Sequence, residues 1–134
     1  MKADTLNPDL EYYIGKLQPQ YESAGQAQIG RTLDEYGIPF FYRQATLICQ
    51  NGHREIWRPD FTLPTYDNIV IEYSANGSRT PDKAVKSNVY RQNHIAAVFL
   101  DESDLATPDW PQRLYDGLQE LYSQPFAHRC DQRR

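Results

Sequence analysis

Hydrophobic positions recur along the chain with two distinct periods, and the changes between them mark out the elements. Ile29, Leu33 and Tyr36 stand at i, i+4 and i+7, one stripe of a helix, and Gly37 follows as a C-cap. Ser23 with Gln26 three residues on has the form of a capping box, which predicts a helix over 24–36. From Ile38 to Ile48 the chain turns to aromatic and β-branched residues, and Asn51-Gly52 then supplies a hairpin turn. A second strand is expected over 54–63. After the turn Pro64 to Asn68, Ile69 to Ser74 makes a third, so the three form an antiparallel meander. Thr80-Pro81-Asp82 opens a helix with an N-cap residue, a first-position proline and an acid in the first turn, and that helix runs to Asn93. His94 to Leu100 is almost wholly apolar, as expected of a strand covered on both faces. Trp110, Leu114, Leu118 and Leu121 space a last helix over 109–123.

Helix, three strands, helix, strand, helix is an α/β order with a mixed sheet flanked by helices. A length of 134 residues leaves room for one core. Residues 1–20, with Pro8 and Pro19 bracketing a weak helical stretch, read as an appended arm. Residues 21–125 form the domain, and 126–134 a flexible tail. With 40% hydrophobic and 13% aromatic residues the chain can pack an interior, which excludes global disorder. The ten tyrosines suit half-buried surfaces, each pairing an apolar ring with a hydroxyl that needs a partner.

No apolar run approaches the ~20 residues of a membrane span, and Met1 to Thr5 lacks the form of a signal peptide. Cys49 and Cys130 are too few for a disulfide framework or a zinc knuckle, so the expected setting is reducing and cytoplasmic. The net charge of −4 opposes non-specific coating of nucleic acid. Its distribution is uneven, however. Arg79, Lys83, Lys86 and Arg91 face only Asp82 in their segment, whereas Asp101-Glu102-Ser103-Asp104 is wholly acidic apart from its serine.

Two carboxylates stand out. Asp60 falls near the end of the second strand, and Glu72 lies in the middle of the third, inside Ile-Val-Ile-Glu-Tyr. Strand alternation puts Val70, Glu72 and Ser74 on one face and Ile69, Ile71 and Tyr73 on the other, with Asp60 brought alongside by the hairpin. Burying a carboxylate without a partner costs several kcal/mol. A divalent metal is one suitable partner, because two carboxylates and a backbone carbonyl match the oxygen demand of Mg²⁺. Structural alternatives are an Asx-type turn for Asp60, an ion pair between Glu72 and Arg58, a capping role for Gln26, and a solvated helix face for Lys86. His53 follows the turn and His94 starts a strand, and neither has a metal-ligand spacing with another histidine.

Arg58-Pro59-Asp60-Phe61 and Ile71-Glu72-Tyr73, set in this order of elements, resemble the PD-(D/E)XK nuclease superfamily. Gly37-Ile38, Tyr42, Lys86, Tyr90 and Asp104-Leu105 follow the same order in a small branch of it, which includes patch-repair-like endonucleases and nuclease-like domains attached to helicases. The resemblance covers about two-thirds of the chain. It implies a restriction-endonuclease-like αβββαβ core with a four-stranded mixed sheet, and a DNA endonuclease dependent on Mg²⁺ or Mn²⁺. It further implies that Asp60, Glu72 and the Tyr73 carbonyl hold the metal, that Lys86 polarises, and that Gln26 positions a water. DNA is the implied partner, with a homodimer as a way to cut two strands.

Two positions depart from the pattern: Ser74 stands where the strand lysine belongs, and Gln26 where a helix glutamate belongs. Lys86 or Lys83, on the following helix, is the available replacement. The alternative expectation is a catalytically inactive nuclease-fold domain that binds nucleic acid or a protein. A third is a structural module that dimerises through its tyrosines.

Overall fold

Ser23 starts the first helix, α1 (Ala24–Glu35), by accepting a hydrogen bond from the Gln26 amide at 3.2 Å. Only half of the expected capping box forms, because Gln26 Oε1 accepts from the Glu22 amide instead of that of Ser23. Gly37, at φ +69°, ends the helix, and the Ile38 amide donates back to Leu33 O. The computed structural model describes residues 19–75 and 80–124. Most of the expected arm 1–20 and all of the tail 126–134 therefore lie outside the described residues.

Beyond α1 come β1 (Phe41–Tyr42), β2 (Thr46–Gln50), β3 (His53–Trp57), β4 (Phe61–Leu63) and β5 (Ile69–Ser74). They are followed by α2 (Thr80–Gln92), β6 (Ala97–Asp101), the short α3 (Glu102–Leu105) and α4 (Trp110–Ser123). A four-stranded mixed sheet has the order β1-β4-β5-β6, antiparallel except for the parallel β5–β6 pair, and β2 and β3 form a separate ribbon.

Each of the first two expected strands is thus broken in two. The register is nevertheless continuous: Tyr42 pairs with Phe61 on one side of the break and Thr46 with Trp57 on the other, three residues intervening on each strand. Pro59 explains the interruption. It is fully buried, has no N–H to give a ladder, and restricts Arg58 before it to extended backbone. Opposite, Arg43 takes a left-handed conformation (φ 56°) while its amide still donates to Asp60 O at 3.0 Å. The ribbon turns at Asn51 and Gly52, both at positive φ as a two-residue hairpin requires.

Residue alternation along β5 sorts the core onto two faces. Ile69 and Ile71 pack with Phe61 and Leu63 of β4, Ile29 and Leu33 of α1, and Leu114, Leu118 and Leu121 of α4. Val70 packs on the other face with Ile48 of the ribbon, Val89 and Tyr90 of α2, and Ala97 of β6. α1 packs closely on β5 at Gly25, where a Cβ would fall 2.1 Å from the outer end of the Tyr73 ring and displace it.

Three expectations are corrected. β6 is an edge strand, so Val98, Phe99 and Leu100 are only half-buried, not covered on both faces. His94 does not start a strand but turns the chain at φ 60° after α2. Asp101 and Asp104 form a reciprocal capping box that starts α3, an element absent from the sequence reading. Among the described residues no helix is long and apolar enough to cross a membrane.

Asn93 ties the ribbon to α2, its Oδ1 accepting from the Cys49 amide at 2.8 Å and its Nδ2 donating to Cys49 O at 3.0 Å. Asn93→Ala is expected to lower stability by about 1–2 kcal/mol in urea denaturation, at the net worth of the lost bonds. Faster hydrogen exchange should appear at the ribbon amides and not in β4 or β5.

Candidate functional site

Asp60 immediately precedes the Phe61–Ile71 pair, and Glu72, which follows Ile71 on β5, pairs with Phe99 of β6. The break at Pro59 frees Asp60 from its ladder, and the carboxylate is bound from two elements. Its Oδ1 accepts from Gln26 Nε2 of α1 at 2.9 Å, and its Oδ2 accepts from the Tyr73 amide of β5 at 2.7 Å. These long-range bonds replace the local Asx turn that was an alternative for this residue. Gln26 is itself held, since its Oε1 accepts from the Tyr42 hydroxyl at 2.7 Å and from the Glu22 amide. Gln26 thus orients Asp60.

Glu72 keeps 12% of its side-chain surface exposed and faces α2. Its Oε2 accepts a hydrogen bond from the buried Tyr90 hydroxyl, and its Oε1 lies 3.6 Å from Lys86 Nζ. The cation beside Glu72 is therefore Lys86 rather than Arg58, whose guanidinium donates to the Arg43 carbonyl. Lys83, the other candidate, sits over the Phe99 ring at 5.8 Å from its centroid. Ser74 ends β5 and is half-buried.

Burial raises the pKa of both carboxylates. For Asp60 it outweighs the Tyr73 and Gln26 hydrogen bonds and the more distant charges of Lys86 and Arg43. For Glu72 it outweighs the Tyr90 hydrogen bond and Lys86, and the Asp60 charge adds to the rise. Burial and the adjacent Glu72 drive the Tyr90 hydroxyl far up, so it stays a neutral donor across the working pH range.

What could hold a metal is a small set. Among the described residues no group of three or more His, Cys, Asp or Glu side chains is placed to hold an ion. The oxygen groups expected for a metal, Asp60, Glu72 and the Tyr73 carbonyl, are fewer than the six that Mg²⁺ takes, so bound waters would have to complete its shell.

No family profile, curated protein or solved structure matches this chain. The site is therefore read from its own chemistry.

Tyr90 and Trp57 are the site residues whose roles the sequence alone left unassigned. Lys83, Lys86 and Tyr90 stand at i, i+3 and i+7, one face of α2, and that spacing was the available signal. Trp57 packs edge-on against Tyr90, with ring centroids 5.3 Å apart.

The raised pKa of Glu72 carries a stability consequence with a definite sign. The native state binds this proton more tightly than the unfolded chain, so stability is highest below the unfolded pKa and falls as pH rises toward the folded one. Glu72→Gln removes the charge and keeps an acceptor for Tyr90. The variant is expected to exceed wild type in stability at pH 7.5, with the gain shrinking as pH falls through the folded pKa of Glu72. Urea denaturation across that range measures it. A less stable variant at pH 7.5 would show that attraction to Lys86 outweighs burial.

Proposed function

We propose that this chain is a metal-dependent DNA endonuclease of the restriction-endonuclease-like fold. The observation that carries the reading is a buried Asp60 and a half-buried Glu72 near enough for the charge of Asp60 to act on Glu72, with Lys86 at 3.6 Å from Glu72. Acids whose pKa burial raises, set beside a lysine, are the pattern of a site arranged for chemistry. The mixed four-stranded sheet with helices on both faces is compatible with that fold.

Asp60, Glu72 and the Tyr73 carbonyl would hold Mg²⁺ or Mn²⁺. Bound there, such an ion supplies charge neutralisation at the phosphate and a lowered pKa for water. The chain's own groups have separate tasks. Gln26 and the Tyr73 amide fix the Asp60 carboxylate, and Tyr90 fixes that of Glu72. Lys86, its side chain half-exposed, can turn its ammonium to a phosphate oxygen while remaining beside Glu72. This gives the helix lysine the place left by Ser74. A cytoplasmic setting and a homodimer that cuts two strands belong to the same proposal.

A second reading, a domain that binds nucleic acid without cutting it, draws on one observation. Both Asp60 oxygens already accept hydrogen bonds from the protein. Each retains a further lone pair, so the bonds do not exclude a metal.

The test is cleavage of plasmid DNA by wild type, Asp60→Asn and Lys86→Met, with Mg²⁺ and with chelator. Mg²⁺-dependent cleavage should fall about 100-fold or more in each variant, since charge stabilisation at the phosphate supplies several kcal/mol. Metal-free DNA binding by Asp60→Asn should persist or tighten, because a negative charge has gone from near the phosphates. Wild type inactive on supercoiled, linear and branched substrates would favour the binding-only reading. Cleavage surviving in Asp60→Asn would remove the site assignment.

A further inference from the structure

We propose that the β2–β3 ribbon is an arm that lies against duplex DNA and directs it to the Asp60–Glu72 site. This rests on the nuclease reading and adds the form of the substrate and the element that grips it.

The chain's net charge of −4 is separated by region. From Asp101 to Glu120 run Asp101, Glu102, Asp104, Asp109, Asp116 and Glu120, against Arg113 alone, which pairs with Asp109 at 3.5 Å. The ribbon and its base carry Arg43, Arg54 and Arg58; Arg43 pairs with Glu22 at 3.2 Å, and the carboxylate of Glu55 accepts from Trp57 Nε1 at 3.0 Å. Lys83 and Lys86 continue this basic surface onto α2. A polyanion meets attraction along the ribbon and α2, and repulsion along α3 and α4.

The ribbon's two faces differ. Ile48 points inward and is fully buried. On the outward face Leu47 and Ile56 are cross-strand partners and remain 56% and 58% exposed, and the next pair on that face is Cys49 with Arg54. A two-stranded ribbon has the width of the major groove, where aliphatic side chains meet thymine methyl groups and arginine meets guanine or phosphate. Single-stranded nucleic acid needs exposed rings on which bases stack, and this outward face has none. Trp57 is half-buried, engaged with Tyr90 and Glu55. The arm is also braced, by Asn93 at Cys49 and by Trp57 on the same Tyr90 that holds Glu72. A duplex seated on it is thereby placed in fixed relation to the carboxylates.

Fluorescence anisotropy with a labelled duplex of about 20 base pairs and its single strand, without metal, tests this. The proteins are wild type, Arg54→Glu, and Leu47→Ser/Ile56→Ser, all changed at exposed positions. Duplex affinity should fall roughly 10-fold or more in each variant, and Arg54→Glu should lower the slope of log affinity against log salt by about 1. Wild type should prefer the duplex. Unchanged duplex affinity in both variants, or preference for the single strand, would overturn the arm and leave the nuclease reading standing. Sedimentation showing a wild-type dimer that Leu47→Ser/Ile56→Ser dissociates would assign the face to a second copy and overturn the arm as well. Wild type that neither binds duplex nor cleaves it with Mg²⁺ removes both.

Discussion

Holding one carboxylate from α1 and another from α2, two helices packed on opposite faces of a four-stranded sheet, is the constraint on which the site depends. Asp60 and Glu72 each lose hydration that hydrogen bonds and one cation do not fully replace. The protein nonetheless commits a glutamine amide, a backbone amide, a tyrosine hydroxyl and a lysine to them. A purely structural role would be served at lower cost by apolar side chains of similar volume. In the proposed nuclease, the arrangement gives up stability to keep two carboxylates beside a lysine.

Pro59 is the local cause of that arrangement. By interrupting a hairpin whose register is otherwise continuous, it takes Asp60 out of the ladder and sends the ribbon over the α2 face. Arg43 accepts the complementary bend in a left-handed conformation, and its amide bond to Asp60 O closes the gap. Through one residue without an N–H, the position of a carboxylate and the direction of a potential binding arm become linked.

Most elements were legible because their signals are local. The stripe of α1, the Asn51-Gly52 turn, the alternation along β5 and the spacing of α4 all predicted what forms. The break was not read, although Pro59 announces it, because one aromatic and β-branched run looks like one strand until its partner strand is known. The exposure of β6 was missed for a related reason: an apolar run gives the same pattern at an edge as in the middle of a sheet. Asp101 to Asp104 was read as charge alone, when an acid followed three residues later by an acid also suits a cap. At the site, Asp60, Glu72 and Lys86 could be nominated by type, but the bond from Tyr90 depends on how α2 docks, and no spacing states that.

The lysine on α2 also accounts for the unsettled charge of Glu72. Lys86 has about half of its side-chain surface in water, so its attraction to Glu72 is screened, and burial of the carboxylate prevails. An ammonium delivered from the buried strand would be desolvated together with the acid and committed to it. Delivered from a helix, it remains hydrated and mobile enough to be shared between Glu72 and an incoming phosphate. What phosphoryl chemistry requires is the location of the positive charge at the reacting group, and the backbone position that supplies it is secondary. In the proposed nuclease, Ser74 therefore marks a change in the lysine's origin, with its place in the site kept.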